Sequence, residues 1–354
     1  MIFTYTATRD ITEEPIRFVT EEAIDLAFNC VKDDSGNKFP ASVDVDGSVI
    51  VILTLKKDQT AQLELCYDSD TAEVVVANSE ESKAVDVNIG SKLFTRYVYD
   101  DTFAKPFLGP LLASDGETSF TRLDFETEEH PHQRSIIGAI GDVNGIDFWN
   151  EFGNYGYEKH MELTTCTSGT AFGRVGAKIC WQSADGEPVI NEERTFTFYN
   201  QQGDVKYVDI EMKLIADYCD VKIGKTKEAG PLGVRVNEAI RVDNGGCFTN
   251  SYGGVNEGEC WGKSAHFCDY FGNINDKLYG IAVFDNENNE RFPTAWHIRD
   301  YGLFAANNLY FKGGYELEKG QSVTYRYRVC VYEGNKPDIY GKYNCYLAFA
   351  SEKE

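Results

Sequence analysis

Two stretches of this chain alternate apolar and polar residues with a period of two, and that pattern constrains the fold more than any other feature. In VKYVDIEMKL, Val208, Ile210, Met212 and Leu214 alternate with Asp209, Glu211 and Lys213. In SVTYRYRVCVYEG, Val323, Tyr325, Tyr327, Val329 and Val331 alternate with polar positions that include Arg326 and Arg328. Only an extended strand sends the first set to a core face and the second to the other face. Shorter strand candidates recur at SVIVILTL, AQLELCY, AEVVVAN, LFTRYVY, RVGAKICWQ, RTFTFYN, VRVNEAIRV and YGIAVFD, separated by turn signals such as DDSGN, ADGE, QQGD and DNGG. Helical readings fit only VTEEAIDLAFNCV near the start and PDIYGKYNCYLAF at the end, where Pro337 suits a first turn. The expectation is an all-β fold built on a large antiparallel β-sandwich. A composition shift near residue 90 divides it into a small N-terminal β module, 1–90, and a body, 91–354, that carries the functional loops.

The charge narrows the partners. With 57 acidic against 34 basic side chains the formal net charge is −23, the wrong sign for a phosphate backbone or an anionic membrane surface. The longest apolar run near the start, Val49 to Leu55, suits a buried strand and is far too short to span a bilayer. The N-terminus lacks a basic segment followed by an apolar one, so no secretory signal is read. Ten cysteines occur without a CxxC pair, and are expected to be reduced, mostly buried thiols of a cytoplasmic protein. The 13% aromatic content serves sheet packing first, and it also suits a sugar-binding cleft.

Chemistry concentrates in a few segments. Two of the five histidines stand in His130-Pro131-His132, followed by Gln133 and Arg134; GDVNGIDFWNE then supplies Asp142 and Asn144. On an extended segment an H-x-H pair points both imidazoles the same way, toward a metal or a substrate oxygen. TKEAGPLGVRV sets Lys227, Glu228 and Arg235 around a glycine turn. The adjoining IGKT echoes a phosphate loop, but Cys219 occupies the place of the first glycine, and a nucleotide site is rejected. ECWGKSAHFCDYFG holds Trp261, His266 and Asp269. PTAWHIRDYGLFAANN gathers Trp296, His297, Arg299, Asp300, Tyr301 and Asn307. Aromatic faces beside hydrogen-bonding groups match a sugar ring, apolar on its faces and hydroxylated at its rim. Each tryptophan taken alone reads first as a core residue.

In this order KPFLGPLLASDG, HPHQRS, GDVNGIDFW, TKEAGPLGVRV, WGKSAHFCDYFG, GIAVFD, PTAWHIRDYGLFAANN and TYRYRVCVYEG resemble the soluble PmoA-like family over about residues 92–334. That label comes from a membrane copper monooxygenase, whose activity does not carry over to a chain without a spanning segment. The resemblance implies a sandwich of the galactose-mutarotase-like kind and a sugar-utilisation setting. Where that family reads HPHHRGL, this chain has Gln133 in place of the third histidine and Ser135 in place of the glycine; an amide binds a transition metal poorly.

The functional expectation is an enzyme acting on a sugar, glycoside or keto-sugar by hydrolysis, elimination or epimerisation, with a small-molecule carbohydrate as its partner. Glu228 is the candidate base, and His132 and His297 the candidate acids. Arg134, Arg235 and Arg299 are candidate oxyanion or carboxylate anchors. His130, Asp142, Asn144, Trp296, Tyr301 and Asn307 complete the expected substrate-binding set. No cofactor is specified. The alternatives are a metal-dependent oxygenase or lyase using His130 and His132, and a non-catalytic glycan-binding protein.

Overall fold

In the computed structural model, which describes residues 1–21, 24, 28–122 and 129–351, the two alternating segments are neighbours. The strand Val205–Ile215 pairs antiparallel with Ser322–Glu333, so that Val208 faces Val329, Ile210 faces Tyr327 and Met212 faces Tyr325. On the opposite face the same register sets Asp209 against Arg328 and Glu211 against Arg326, with nitrogen–oxygen distances of 2.5 and 2.8 Å. One alternation thus supplies both a core and a polar outer surface.

These strands lie in an eight-stranded antiparallel sheet, the long sheet, with Tyr157–Thr167, Phe172–Gln182 and Pro188–Tyr199 on one side. Lys277–Asp285, Phe267–Ile274 and Cys247–Asn250 continue it on the other. A second eight-stranded sheet, the site sheet, runs Trp296–Ile298, Leu303–Ala306, Ala229–Arg235, Ile136–Ile140, Phe107–Leu108, Lys92–Val98, Ala84–Ile89 and Val74–Ser79. Val234, Phe304 and Ile136 of the site sheet join Ile210, Met212, Tyr327 and Val329 of the long sheet in one buried cluster. The architecture is therefore an all-β, antiparallel sandwich. A six-stranded sheet from the first 66 residues docks beside it: Asp44 pairs with Arg174 at 2.8 Å, and Glu14 accepts from the Tyr207 hydroxyl at 2.9 Å.

Several expectations need correction. The change of sheet falls between Cys66 and Val74, and Ala84–Ile89 pairs with Lys92–Val98 across the Gly90 turn. VRVNEAIRV leaves the sheet at Arg235, and the Asn237 side chain caps a 3-10 turn, Glu238–Ile240, by accepting from the Ala239 amide at 2.9 Å. The N-terminal helix reading falls partly outside the described residues; its end, Cys30 and Val31, is strand. The C-terminal helix is present as Ile339–Ser351, with Tyr343, Tyr346 and Phe349 packed on the outer face of the long sheet. Not all cysteines are free: Cys30 and Cys66 are directly paired across two strands, with Cα atoms 5.2 Å apart, and form a disulfide. Among the described residues no helix is long and apolar enough to cross a membrane.

Candidate active site

Strand alternation decides what reaches the outer face of the site sheet. Trp296, Ile298, Phe304 and Val234 point into the sandwich core, so His297, Ala305, Gly233 and Arg235 point outward. The register aligns His297, Ala305, Gly233 and Ile137 in one row across four strands. Gly233 and Ala305 keep that row low, and Trp149 packs over it: a β-carbon on Gly233 would lie 3.2 Å from the indole. Leu303, Ala305, Ile137, Ala139 and Phe107 join Trp149 in a separate apolar cluster, with Tyr301 at its edge.

The HPHQR segment turns sharply onto this floor. His130 and Ser135 have φ of +51° and +41°, left-handed conformations that cost a residue with a β-carbon about 1–3 kcal/mol. A glycine at position 135 would relieve one of them. The His130 ring stacks on Tyr301 with centroids 5.1 Å apart and planes 2° apart, and lies 5.9 Å from His132. The Gln133 side-chain oxygen accepts from Arg235 at 2.8 Å. Arg134 grips Glu151 through two nitrogens at 2.5 and 2.6 Å. Buried Lys105 also donates to Glu151, at 2.9 Å, and to the Trp149 carbonyl at 3.0 Å.

The electrostatics follow from burial and from these cations. Burial, then the nearby Lys105 charge, pushes the His132 imidazole down to about 4, against the opposing pull of Glu151. Burial followed by Arg299 and Lys227 takes His297 to about 3. His130 is lowered by partial burial and by Arg235. All three imidazoles are therefore neutral at pH 7. A buried, neutral imidazole of such low basicity is a weak base and holds no imidazolium proton to donate. Burial would raise the Glu151 carboxyl, but Arg134 and Lys105 outweigh it and hold the group near 2. The Tyr301 phenol is raised by burial, with Gln133, Arg299 and Arg235 pulling the other way.

The remaining predicted residues divide. Arg235, 1% exposed, lies over the Tyr301 ring at 4.9 Å, and Arg299 lies 5.4 Å from it while pairing with Glu257 at 3.0 Å. Glu228 is close enough to act electrostatically on His130 and Tyr301, but its carboxylate pairs with Lys227 at 3.0 Å and both side chains are substantially exposed. Asn307, fully buried, donates to the Lys227 carbonyl at 2.8 Å and caps the short helix Asn308–Lys312, fastening the loop that carries Glu228. Trp296 is a core residue, 1% exposed, with its indole nitrogen donating to the Ala265 carbonyl at 2.9 Å. Asp142 accepts from the Gly145 amide, and Asn144 bridges the Asp220 carbonyl and the Lys222 amide; both are spent on holding a turn. His297 lies closed beneath the surface, its Nδ1 without a hydrogen-bond partner among the described residues, edge-on to Trp261 at 6.3 Å. Three site residues, Lys105, Gln133 and Glu151, were not assigned roles from the sequence; their one signal was proximity to charged and aromatic motifs. Among the described residues no three His, Cys, Asp or Glu side chains gather as a metal ion would require.

The class that fold and site define is an antiparallel β-sandwich protein with a histidine–tyrosine–arginine cluster on the outer face of one sheet. The chain belongs to the family of unknown function DUF6807, whose model matches residues 84–339. No curated protein matches the chain in sequence. Among solved structures it is similar to a GH36 alpha-galactosidase, AgaA from Geobacillus stearothermophilus, at 12% identity and a TM-score of 0.34, over 73% of this chain and 40% of that one. It is also similar to the heparan sulfate lyase HepC from Pedobacter heparinus, at 9% identity and a TM-score of 0.37, over 74% of this chain and 37% of that one. The chain thus spans well under half the length of either, and likenesses of this depth assign no activity.

Proposed function

We propose that this protein is an enzyme that acts on a sugar, glycoside or keto-sugar by acid–base chemistry, with Tyr301 and His130 as the working pair. The observation that carries the reading is the parallel stacking of a neutral, partly exposed imidazole on a phenol flanked by two guanidinium groups. Tyr301 is the proton donor: burial keeps the phenol protonated until substrate arrives, and the charges of Arg235 and Arg299 offset part of the cost of the phenolate left behind. His130, part-exposed and less buried than His132 or His297, is the acceptor that substrate can reach. Arg299, the less buried of the two guanidinium groups, also serves a developing oxyanion on the sugar. The Arg134–Glu151–Lys105 network fixes the segment from which His130 projects. The motif resemblance to the PmoA-like family and its sugar-utilisation setting supports the same substrate class.

A glycan-binding module needs aromatics and amides but no neutral base beside a proton donor, and the pair favours the enzyme reading. The test is a screen of unmodified and 3-oxidised glycosides followed by NMR, with Tyr301→Phe in parallel. Conversion of at least one substrate by the wild type and its loss in the variant is expected. Binding without conversion across the screen returns the protein to the glycan-binding class.

A further inference from the structure

A second cleft, of about 670 Å³, lies away from the Tyr301 cluster, between the outer face of the long sheet, the turn following Lys38–Val43 and the C-terminal helix. Its floor is a row of side chains that the register sets side by side: Thr165, then Gly176 with no side chain, then Thr195, Glu211 and Arg326. Four inter-strand steps make that row roughly 19 Å long. The charges lining the cleft balance, Arg17, Arg174 and Arg326 against Asp44, Asp209 and Glu211, in a chain whose net charge is −23. Asp44 is gripped by Arg17 and Arg174 at 3.2 and 2.8 Å, which fixes the turn that presents Val45, 93% exposed, at the lip. Tyr346 and Phe349 of the helix line the other side.

We infer that this cleft is a binding site for an uncharged oligosaccharide several rings long. Local charge balance disfavours an anionic or cationic ligand. Threonine hydroxyls and fixed carboxylate–guanidinium pairs supply donors and acceptors for sugar hydroxyls, and the exposed Val45 at the lip offers an apolar contact to a ring. The length of the row fits a chain of sugars rather than one. The inference does not depend on catalysis at Tyr301.

The test is calorimetric titration of the full chain with neutral hexasaccharides of β-1,4-glucose, β-1,4-mannose, β-1,4-xylose and α-1,4-glucose, and with hexagalacturonate as the charged arm. At least one neutral hexasaccharide should bind. Thr195→Trp, which fills the floor, should weaken it about tenfold or more, while Tyr301→Phe leaves it unchanged. Val45→Asp, at a fully exposed lip position that cannot disturb the core, should also weaken it. Failure of every neutral sugar, preference for the galacturonate, or binding abolished by Tyr301→Phe and indifferent to both cleft variants overturns the inference. None of these outcomes contradicts the Tyr301 reading, which the glycoside screen tests separately.

Discussion

The His130 imidazole and the Tyr301 phenol lie parallel, 5.1 Å apart, although they come from opposite halves of the chain. Tyr301 sits in the turn between Trp296–Ile298 and Leu303–Ala306, and His130 in the turn that leads into Ile136–Ile140. Ala229–Arg235 lies between Leu303–Ala306 and Ile136–Ile140 in the sheet, and its last residue, Arg235, supplies the cation that packs on Tyr301. Loops at one end of adjacent strands therefore assemble the pair, as sandwiches commonly do.

Glu228 is predicted to contribute little. Its carboxylate is held by Lys227 at 3.0 Å with both groups well exposed, the geometry of a surface ion pair. Glu228→Gln should change stability by about 1 kcal/mol or less and leave turnover within about tenfold of wild type, measured on a confirmed substrate. A loss of several hundredfold would restore it as the base.

The buried histidine His297 makes stability depend on acidity. Its folded pKa, about 3, is below the unfolded 6.5. The native state then binds fewer protons than the unfolded state between these values, so its stabilising share is complete above pH 6.5 and is lost as pH falls toward 3. Relative to His297→Gln, the wild type should lose about 2 kcal/mol between pH 7 and 5. Parallel urea-denaturation curves for the two proteins across that interval would contradict this.

How much of this was legible in the sequence depends on what each signal encodes. The alternation in Val205–Ile215 and Ser322–Glu333 records which side of a strand is apolar, and the sandwich follows from it directly. HPHQR and WHIRDY marked the site because polar groups cluster there against a background of strands. Side-chain roles were less visible, since they depend on register. Trp296 and His297 are adjacent in sequence, yet one fills the core and the other faces outward. Asp142 and Asn144 resemble ligand-binding residues, but Asp142 satisfies the Gly145 amide of its own turn and Asn144 backbone groups of Asp220 and Lys222, four strands further along the chain. Glu151 became important only because folding placed Arg134 and Lys105 on the same carboxylate.

A carboxyl inside the sandwich gives a prediction of the opposite sign. Glu158 and Glu192 share Arg194, all three fully buried, and burial is the largest influence in raising Glu158 to about 8. Because its folded pKa is above the unfolded value, Glu158 costs stability increasingly as pH rises from 4.5 to 8. Glu158→Gln should therefore raise the melting temperature, and more at pH 8 than at pH 5. A variant less stable than wild type at pH 8 would mean that the carboxylate is ionised and paired.

The central claim is that Tyr301 donates the proton and His130 accepts it. The most direct measurement is kcat for Tyr301→Phe and His130→Gln on the substrate found in the screen, with folding checked by circular dichroism. Each variant should keep its fold and lose about two to four orders of magnitude in kcat, and the double variant should lose little more than the worse single one. Turnover within a few-fold of wild type in Tyr301→Phe would contradict the account.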